Sequence, residues 1–283
     1  MNMMELVRQM EGQTDLRRRE ILLEELASRG WNFQLQDYLV SGEKGCNIIV
    51  DINNDPPPTI LLAAHYDAVE GSPGANDDAS AVAVLLDAAD KLRLESLEHH
   101  VRIVFFDDEE PTLLRHEPLG SQIYVDEFGI TDLYAVLDFE LCGMGDAVGI
   151  WPVSGMGEQP LLKQMTDLIQ RLNIPMEFGQ TIPSFYGDYF PFRKAGFQDS
   201  YCFTAFHWKE RNLLMNFAEK TRKQLTIRYA LWEYLKLPVI PTIFRHYHNP
   251  SDRSAFLSTN TLEMMSNLVH RMVRNMNYPV PRV

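Results

Sequence analysis

His65, Asp67, Asp77 and Asp78 put one imidazole and three carboxylates into a short stretch of chain. Donors packed that closely repel one another unless a cation neutralises them, so the set points to a metal site. More donors of the same kind follow in the acidic run Asp107-Asp-Glu109-Glu110, in Asp138 and in His248. Imidazole nitrogens mixed with carboxylate oxygens suit a borderline cation such as zinc, whereas an all-oxygen cage would suit magnesium or calcium.

The elements that must position these groups can be read from apolar spacing. The run 59–64 is apolar and breaks at His65 into a Gly/Pro loop, Gly71-Ser-Pro-Gly74, which feeds a segment whose Val82, Leu85, Leu86, Ala89 and Leu92 recur at helical spacing. Strand, loop and helix are expected there, with the helix over 79–94. That places the first donors at the carboxyl end of a buried strand, where open α/β sheets bind ligands. Runs 101–106, 134–137 and 147–151 read as further buried strands, and 241–247 reads as a strand leading to His248. Two earlier runs, 32–40 and 46–52, read as a hairpin around Ser41-Gly-Glu-Lys-Gly45. Helices are expected over the first thirty residues with Leu16, Ile21, Leu22, Leu23 and Leu26 inward and Gly30 as the stop, from Leu119 to Phe128, over 158–172, and from Asn260 to about Asn275, where Asn260 and Glu263 have capping-box spacing. Alternating strands and helices imply an α/β fold with three αβα layers and a mixed, mostly parallel central sheet.

Composition narrows the classes further. The chain has 283 residues, 45% hydrophobic and 23% charged, enough for one large α/β domain. A formal net charge of −13 argues against nucleic acid or an anionic membrane as a partner. The amino terminus lacks the apolar core of a secretory signal and no run reaches membrane-spanning length, so a cytoplasmic protein is expected. Cys46, Cys142 and Cys202 have no paired spacing and read as reduced, buried thiols.

His65-Tyr-Asp67, Gly74-Ala-Asn-Asp77-Asp78-Ala-Ser, Phe105-Phe-Asp-Asp-Glu109-Glu110 with Gly120-Ser121, Leu137-Asp138, Asp188-Tyr-Phe-Pro-Phe192 and His248-Asn-Pro-Ser-Asp252 occur in that order. The ordered set resembles the zinc aminopeptidase and glutaminyl cyclase superfamily, exopeptidases with two co-catalytic zincs and a phosphorylase/hydrolase-like fold, over roughly residues 15 to 276. By that resemblance Asp77 would bridge two zinc ions, His65 and Asp138 would complete one site, and Glu110 and His248 the other. Asp67 would hold the His65 ring from behind. Glu109 would be the general base, taking a proton from the attacking water and returning it to the leaving amine. Asp188 would lie near the site, where the cyclases are taken to use it in proton shuttling, and the Asp77–Asp78 peptide would be cis. His246, two residues before His248, is the competing ligand, and Asp78 would cap the following helix or orient a ligand. His99, His100, His116, His207 and His270 read as ordinary structural histidines.

The tandem Asp77-Asp78 followed by Ala-Ser-Ala resembles the dizinc aminopeptidases. The long segment between Glu110 and Gly120 and the Phe-Phe-Asp-Asp-Glu-Glu lead resemble the cyclases, which would hold a single zinc. Asn249 and Ala81 depart from the residues most often found there, threonine and glycine. The expected activity is hydrolysis of the amino-terminal residue of short peptides with a free amino terminus. Glutaminyl-peptide cyclisation and a catalytically inactive binding protein of the same fold are the alternatives. One catalytic domain over 1–283 is expected, open to homo-oligomer formation, with a helical insertion at about 208–237 that reads as a peripheral core helix, a lid over or beside the metal cleft, or a subunit contact. Phe185, Tyr186, Tyr189, Phe190 and Phe206 would line an apolar pocket or belong to the core.

Overall fold

The computed structural model describes residues 1–40, 42–53, 55–56, 58–111, 118–153, 159–180, 186–223 and 240–276. Eight strands form one sheet in the order β1-β2-β4-β3-β5-β8-β6-β7. They are β1 (Gln34–Val40), β2 (Glu43–Asp51), β3 (Thr59–His65), β4 (His100–Phe106), β5 (Leu133–Phe139), β6 (Ala147–Trp151), β7 (Met176–Phe178) and β8 (Ser200–Phe206). The central strands β4, β3, β5 and β8 are mutually parallel, while β1 and β2 on one side and β6 on the other pair antiparallel. Every residue of β3 is buried, as an interior strand covered on both faces requires.

Helices α1 (Met3–Met10), α2 (Asp15–Ser28), α3 (Ser80–Leu92), α4 (Leu119–Phe128), α5 (Pro160–Arg171), α6 (Tyr189–Lys194), α7 (Arg211–Lys223), α8 (Thr242–Arg245) and α9 (Thr259–Asn275) make the outer layers. Successive strand side chains point to opposite faces, and the cores divide accordingly. Ile60, Leu62 and Ala64 of β3 join α1, α2, α3, α5 and α9, whereas Leu61 and Ala63 join α4 and α6 on the other face. Beyond β8 on that second face, α7 and α8 bring Leu214, Ala218 and Ile243 against Trp151, Cys202 and Phe206. The three-layer α/β expectation is met.

Several local expectations are corrected. Leu16 is 57% exposed, because the buried stripe of α2 runs through Arg18, Ile21, Leu22, Glu25 and Leu26. The last helix is capped by Ser258, whose side chain accepts from Thr261 N–H at 3.4 Å, and not by Asn260. The segment before His248 is one helical turn and no strand. Its first turn is held from outside: Glu210 accepts from Thr242 N–H at 2.7 Å and Thr242 Oγ1 at 2.8 Å, a cap that β-branched Thr242 and Ile243 do not announce locally. Strands β7 and β8 go beyond what apolar spacing suggested. Of the insertion 208–237, Trp208–Glu210 and α7 are helical, and 224–237 lies outside the described residues, as do most of the 111–119 segment and Phe185. The three cysteines are free and buried. Among the described residues, no helix is long and apolar enough to cross a membrane.

Gly120 shows how tightly the end of β4 is sealed. A Cβ there would collide with the Asp107 carbonyl and come within 2.5 Å of Asn47 Oδ1, while Asn47 Nδ2 donates to the Gly120 carbonyl at 2.8 Å. Gly120→Ala is expected to lose about 1–3 kcal/mol, read as a lower urea midpoint at unchanged slope.

Candidate metal centre

The parallel strands end along one edge of the sheet, and the donors gather there. His65 is the last residue of β3, Glu109 and Glu110 follow the end of β4, and Asp138 is the penultimate residue of β5. Asp77 lies in the turn before α3, where Gly74 takes a left-handed conformation and the Asp77–Asp78 peptide is cis. His248, also with positive φ, follows α8. The expected Ala79 start of the α3 helix is displaced to Ser80, because the backbone at Asp77 and Asp78 leaves helical angles.

Asp77 is the hinge of the cluster. Its Oδ1 lies 3.3 Å from His65 Nε2 and its Oδ2 3.4 Å from His248 Nε2. His248 Nε2 is also 2.8 Å from Glu110 Oε2, and donor atoms of Asp77, Glu110 and His248 converge closely enough to hold one ion. His65, Glu109 and Glu110 form a second such group, with Glu109 Oε2 3.8 Å from His65 Nε2. On the far side of the ring, Asp67 Oδ1 lies 3.2 Å from His65 Nδ1, and Asp67 Oδ2 accepts from Glu110 N–H at 2.9 Å. Asp67 therefore orients one candidate ligand and fixes the backbone of another. His246 lies 2.8 Å from Ser251 Oγ and stacks on Phe256, so it is engaged elsewhere, as are His99 with the Met276 carbonyl, His100 with Asp51 and His270 with Glu95.

Asp138 stands with Glu140 and Cys202 and also feels the charge of His65, and one of its oxygens accepts from Tyr189 N–H at 3.1 Å. Glu140, just past the strand end, is a carboxylate that sequence reasoning missed. It is buried, its Oε1 has no hydrogen-bond partner, and it feels Glu109 and His65. The signal that could have found it is its spacing of two from Asp138, which keeps it on the same face. Asp252 was also missed: its carboxylate accepts from Asn76 N–H at 2.9 Å and Asp77 N–H at 3.1 Å. Asp188 is fully buried beside Asp138, with Ser121 as the polar side chain acting on it. Asp78 accepts from Leu141 N–H at 3.2 Å, orienting the loop after β5. Tyr189 and Phe206 are core residues, and the rings of Tyr186 and Phe190 lie 4.5 Å apart.

The electrostatics call for a cation. Burial, reinforced by neighbouring carboxylates, drives Asp78, Glu109, Glu140 and Asp188 well above the ordinary carboxyl range. Burial also lifts Glu110 and Asp138 to about 7. Against the opposing effect of burial, the charge of Glu109 and the hydrogen bonds of Asp67 and Asp77 push His65 well up. In the protein alone, protonation would relieve part of this repulsion. A divalent ion can replace those protons and fill the valence of Asp77 Oδ2 and Asp138 Oδ1, which have no hydrogen-bond partner. Mixed imidazole and carboxylate donors fit zinc.

Residues 47–273 match Peptidase family M28. Among curated proteins, YfbL of Escherichia coli (strain K12) is 32% identical over 113 residues, which span 37% of this chain and 35% of that protein. Among solved structures, the zinc aminopeptidase BSAP from Bacillus subtilis superposes with a TM-score of 0.60 at 22% identity, over 82% of this chain and 50% of that one. The Bacteroides thetaiotaomicron glutaminyl cyclase, solved with N-acetylhistamine, superposes with a TM-score of 0.68 at 16% identity, over 97% of this chain and 94% of that one. At these identities the structural likeness is one of fold. The chain thus spans about half of BSAP and matches about a third of YfbL.

Asp138 Oδ1 and Glu140 Oε1 both lack a hydrogen-bond partner among the described residues, so Asp138→Asn and Glu140→Gln are each expected to weaken uptake of one zinc by about tenfold or more. Equilibrium dialysis with metal analysis of both variants measures this, and a variant that takes up zinc as the parent does would remove that residue from the ligand set.

Proposed function

We infer that this chain, which belongs to peptidase family M28, is a zinc-dependent aminopeptidase that removes the amino-terminal residue of short peptides. The observation that carries this reading is the Asp77 carboxylate, whose two oxygens face two different imidazoles at 3.3 and 3.4 Å, an arrangement suited to a carboxylate shared by two ions. Asp77, Glu110 and His248 would hold one zinc, and Asp77, His65 and the Asp138–Glu140 pair the other. When bound, the zinc pair supplies Lewis-acid stabilisation of charge on the scissile carbonyl and acidifies the attacking water.

The remaining work falls to the chain's own groups. Glu109 Oε2 lies 3.8 Å from His65 Nε2 and its side chain is 12% exposed, so substrate and water can reach it. It takes the proton of the attacking water at Oε2 and delivers it to the leaving amine. Asp67 holds the His65 ring so that Nε2 faces the site. The same proposal takes 1–283 as one catalytic domain with 208–237 as an insertion beside the cleft. It is supported there by a row of rings: Phe217 of α7 stacks on Phe244, Phe244 meets Tyr247 edge-on, and Tyr247 stacks on His248 at 3.7 Å.

A second reading, glutaminyl-peptide cyclisation with one zinc, is supported by the near full-length likeness to the Bacteroides thetaiotaomicron cyclase. In that reaction the substrate's α-amine attacks its own side-chain amide and ammonia leaves. Incubating the zinc-loaded protein with a peptide bearing amino-terminal glutamine separates the two by mass: loss of a residue supports hydrolysis, and loss of ammonia alone supports cyclisation. Glu109→Gln is expected to keep its zinc while turnover falls by about a hundredfold or more, whereas Glu110→Gln should lose zinc as well. Metal analysis beside steady-state rates checks this, and a Glu109→Gln protein that sheds zinc would overturn the assignment of the base.

A further inference from the structure

Arg18 is fully buried, yet no carboxylate accepts a hydrogen bond from it among the described residues. Nε and Nη1 donate to backbone carbonyls instead, and Nη2 has no hydrogen-bond partner among the described residues. Nε donates to Tyr66, and Nη1 donates to Gly74 at 3.1 Å, Met10 at 3.3 Å and Pro73 at 3.5 Å. Tyr66 lies between His65 and Asp67, and Gly74 opens the turn that carries Asp77. One guanidinium therefore ties the two ends of the loop 66–74 together, behind both arms of the centre. A second residue of α2 joins in, since Asp15 Oδ1 accepts from Ala68 N–H at 3.0 Å.

Burying an uncompensated cation is costly, and the balance here comes from the nearby carboxylates of Asp67, Asp15, Asp78 and Asp77. A planar fork with fixed donors can hold two carbonyls at a set separation, which a lysine ammonium on a flexible stem cannot do. Asp252 grips the same turn from the opposite side through Asn76 and Asp77 N–H. Between them the turn has little freedom.

We propose that Arg18 is a positioning residue of the metal centre: it sets the spacing between His65 and Asp77 before any ion binds. The proposal rests on the metal reading above and adds a specific sign to it. Removing a buried positive charge beside a cation site should by itself tighten metal binding, because the local potential becomes more negative. Losing the clamp should loosen it. The two effects oppose each other, so the direction of the change identifies which one governs.

The test uses Arg18→Met and Arg18→Lys in the full chain, with zinc affinity from chelator competition and the cobalt d–d absorption of the substituted protein. Both variants are expected to bind one equivalent about tenfold or more weakly, with an altered cobalt spectrum. Arg18→Met binding more tightly while Arg18→Lys matches the parent would overturn the proposal in favour of a charge effect. Equal losses of melting temperature with unchanged affinity would overturn it in favour of a merely structural role. Hydrogen exchange of the unsubstituted, metal-free protein keeps the proposal falsifiable even if neither variant folds. Protection across 66–75 is expected, and exchange there at the rate of an exposed loop would overturn the proposal. A parent protein that takes up no zinc at all would sink the metal reading separately.

Discussion

A carboxylate that must face two imidazoles at once constrains everything around it. Asp77 lies 3.3 Å from His65 and 3.4 Å from His248, so the end of β3 and the loop after α8 must arrive within a few ångströms of one turn. The turn itself is gripped through its backbone. Asp252 holds the amides of Asn76 and Asp77, and Gly143 N–H donates to Asn76 Oδ1 at 2.8 Å. Ser80, the first residue of α3, accepts from Cys142 N–H at 2.9 Å, which ties the helix start to the loop after β5. Moving any of these partners would move a candidate ligand.

The sheet supplies the other half of the constraint. Four parallel strands deliver their carboxyl ends to one edge, and on this chain the ends of β3, β4 and β5 carry acids. Burying so many carboxylates costs free energy unless a positive charge offsets it. The large core on both faces of the sheet is what allows the fold to tolerate such a cluster. An ion that binds only the folded arrangement would therefore also stabilise it.

Packing reaches the centre from the flank as well. His248 carries positive φ and belongs to no helix or strand, so its ring direction is set by neighbours. Tyr247 stacks on it, Phe244 backs Tyr247, and Phe217 of α7 backs Phe244. The described part of the segment 208–237 thus supports a candidate ligand mechanically.

Local chemistry in the sequence was enough for much of this. A fully apolar strand that breaks at His65-Tyr-Asp67 places an imidazole and its orienting carboxylate together whatever the rest of the chain does, because both lie within three residues. The same holds for Glu109 and Glu110 after β4, and for the inward stripe Leu262, Met265, Val269 and Met272 of α9. What local spacing could not decide was where each element stops and what it meets. Asp138 and Glu140 point the same way along the chain, and only the pairing of β5 with β8, which sets Asp138 opposite Cys202, brings both carboxylates beside Cys202. The turn before His248 is helical because Glu210, 32 residues earlier, caps it. Asp252 reaches Asp77 across 175 residues, and Arg18 reaches Gly74 across 56. Propensity and periodicity act over a turn or two of chain, whereas these bonds exist only once packing has brought distant backbone amides and carbonyls together.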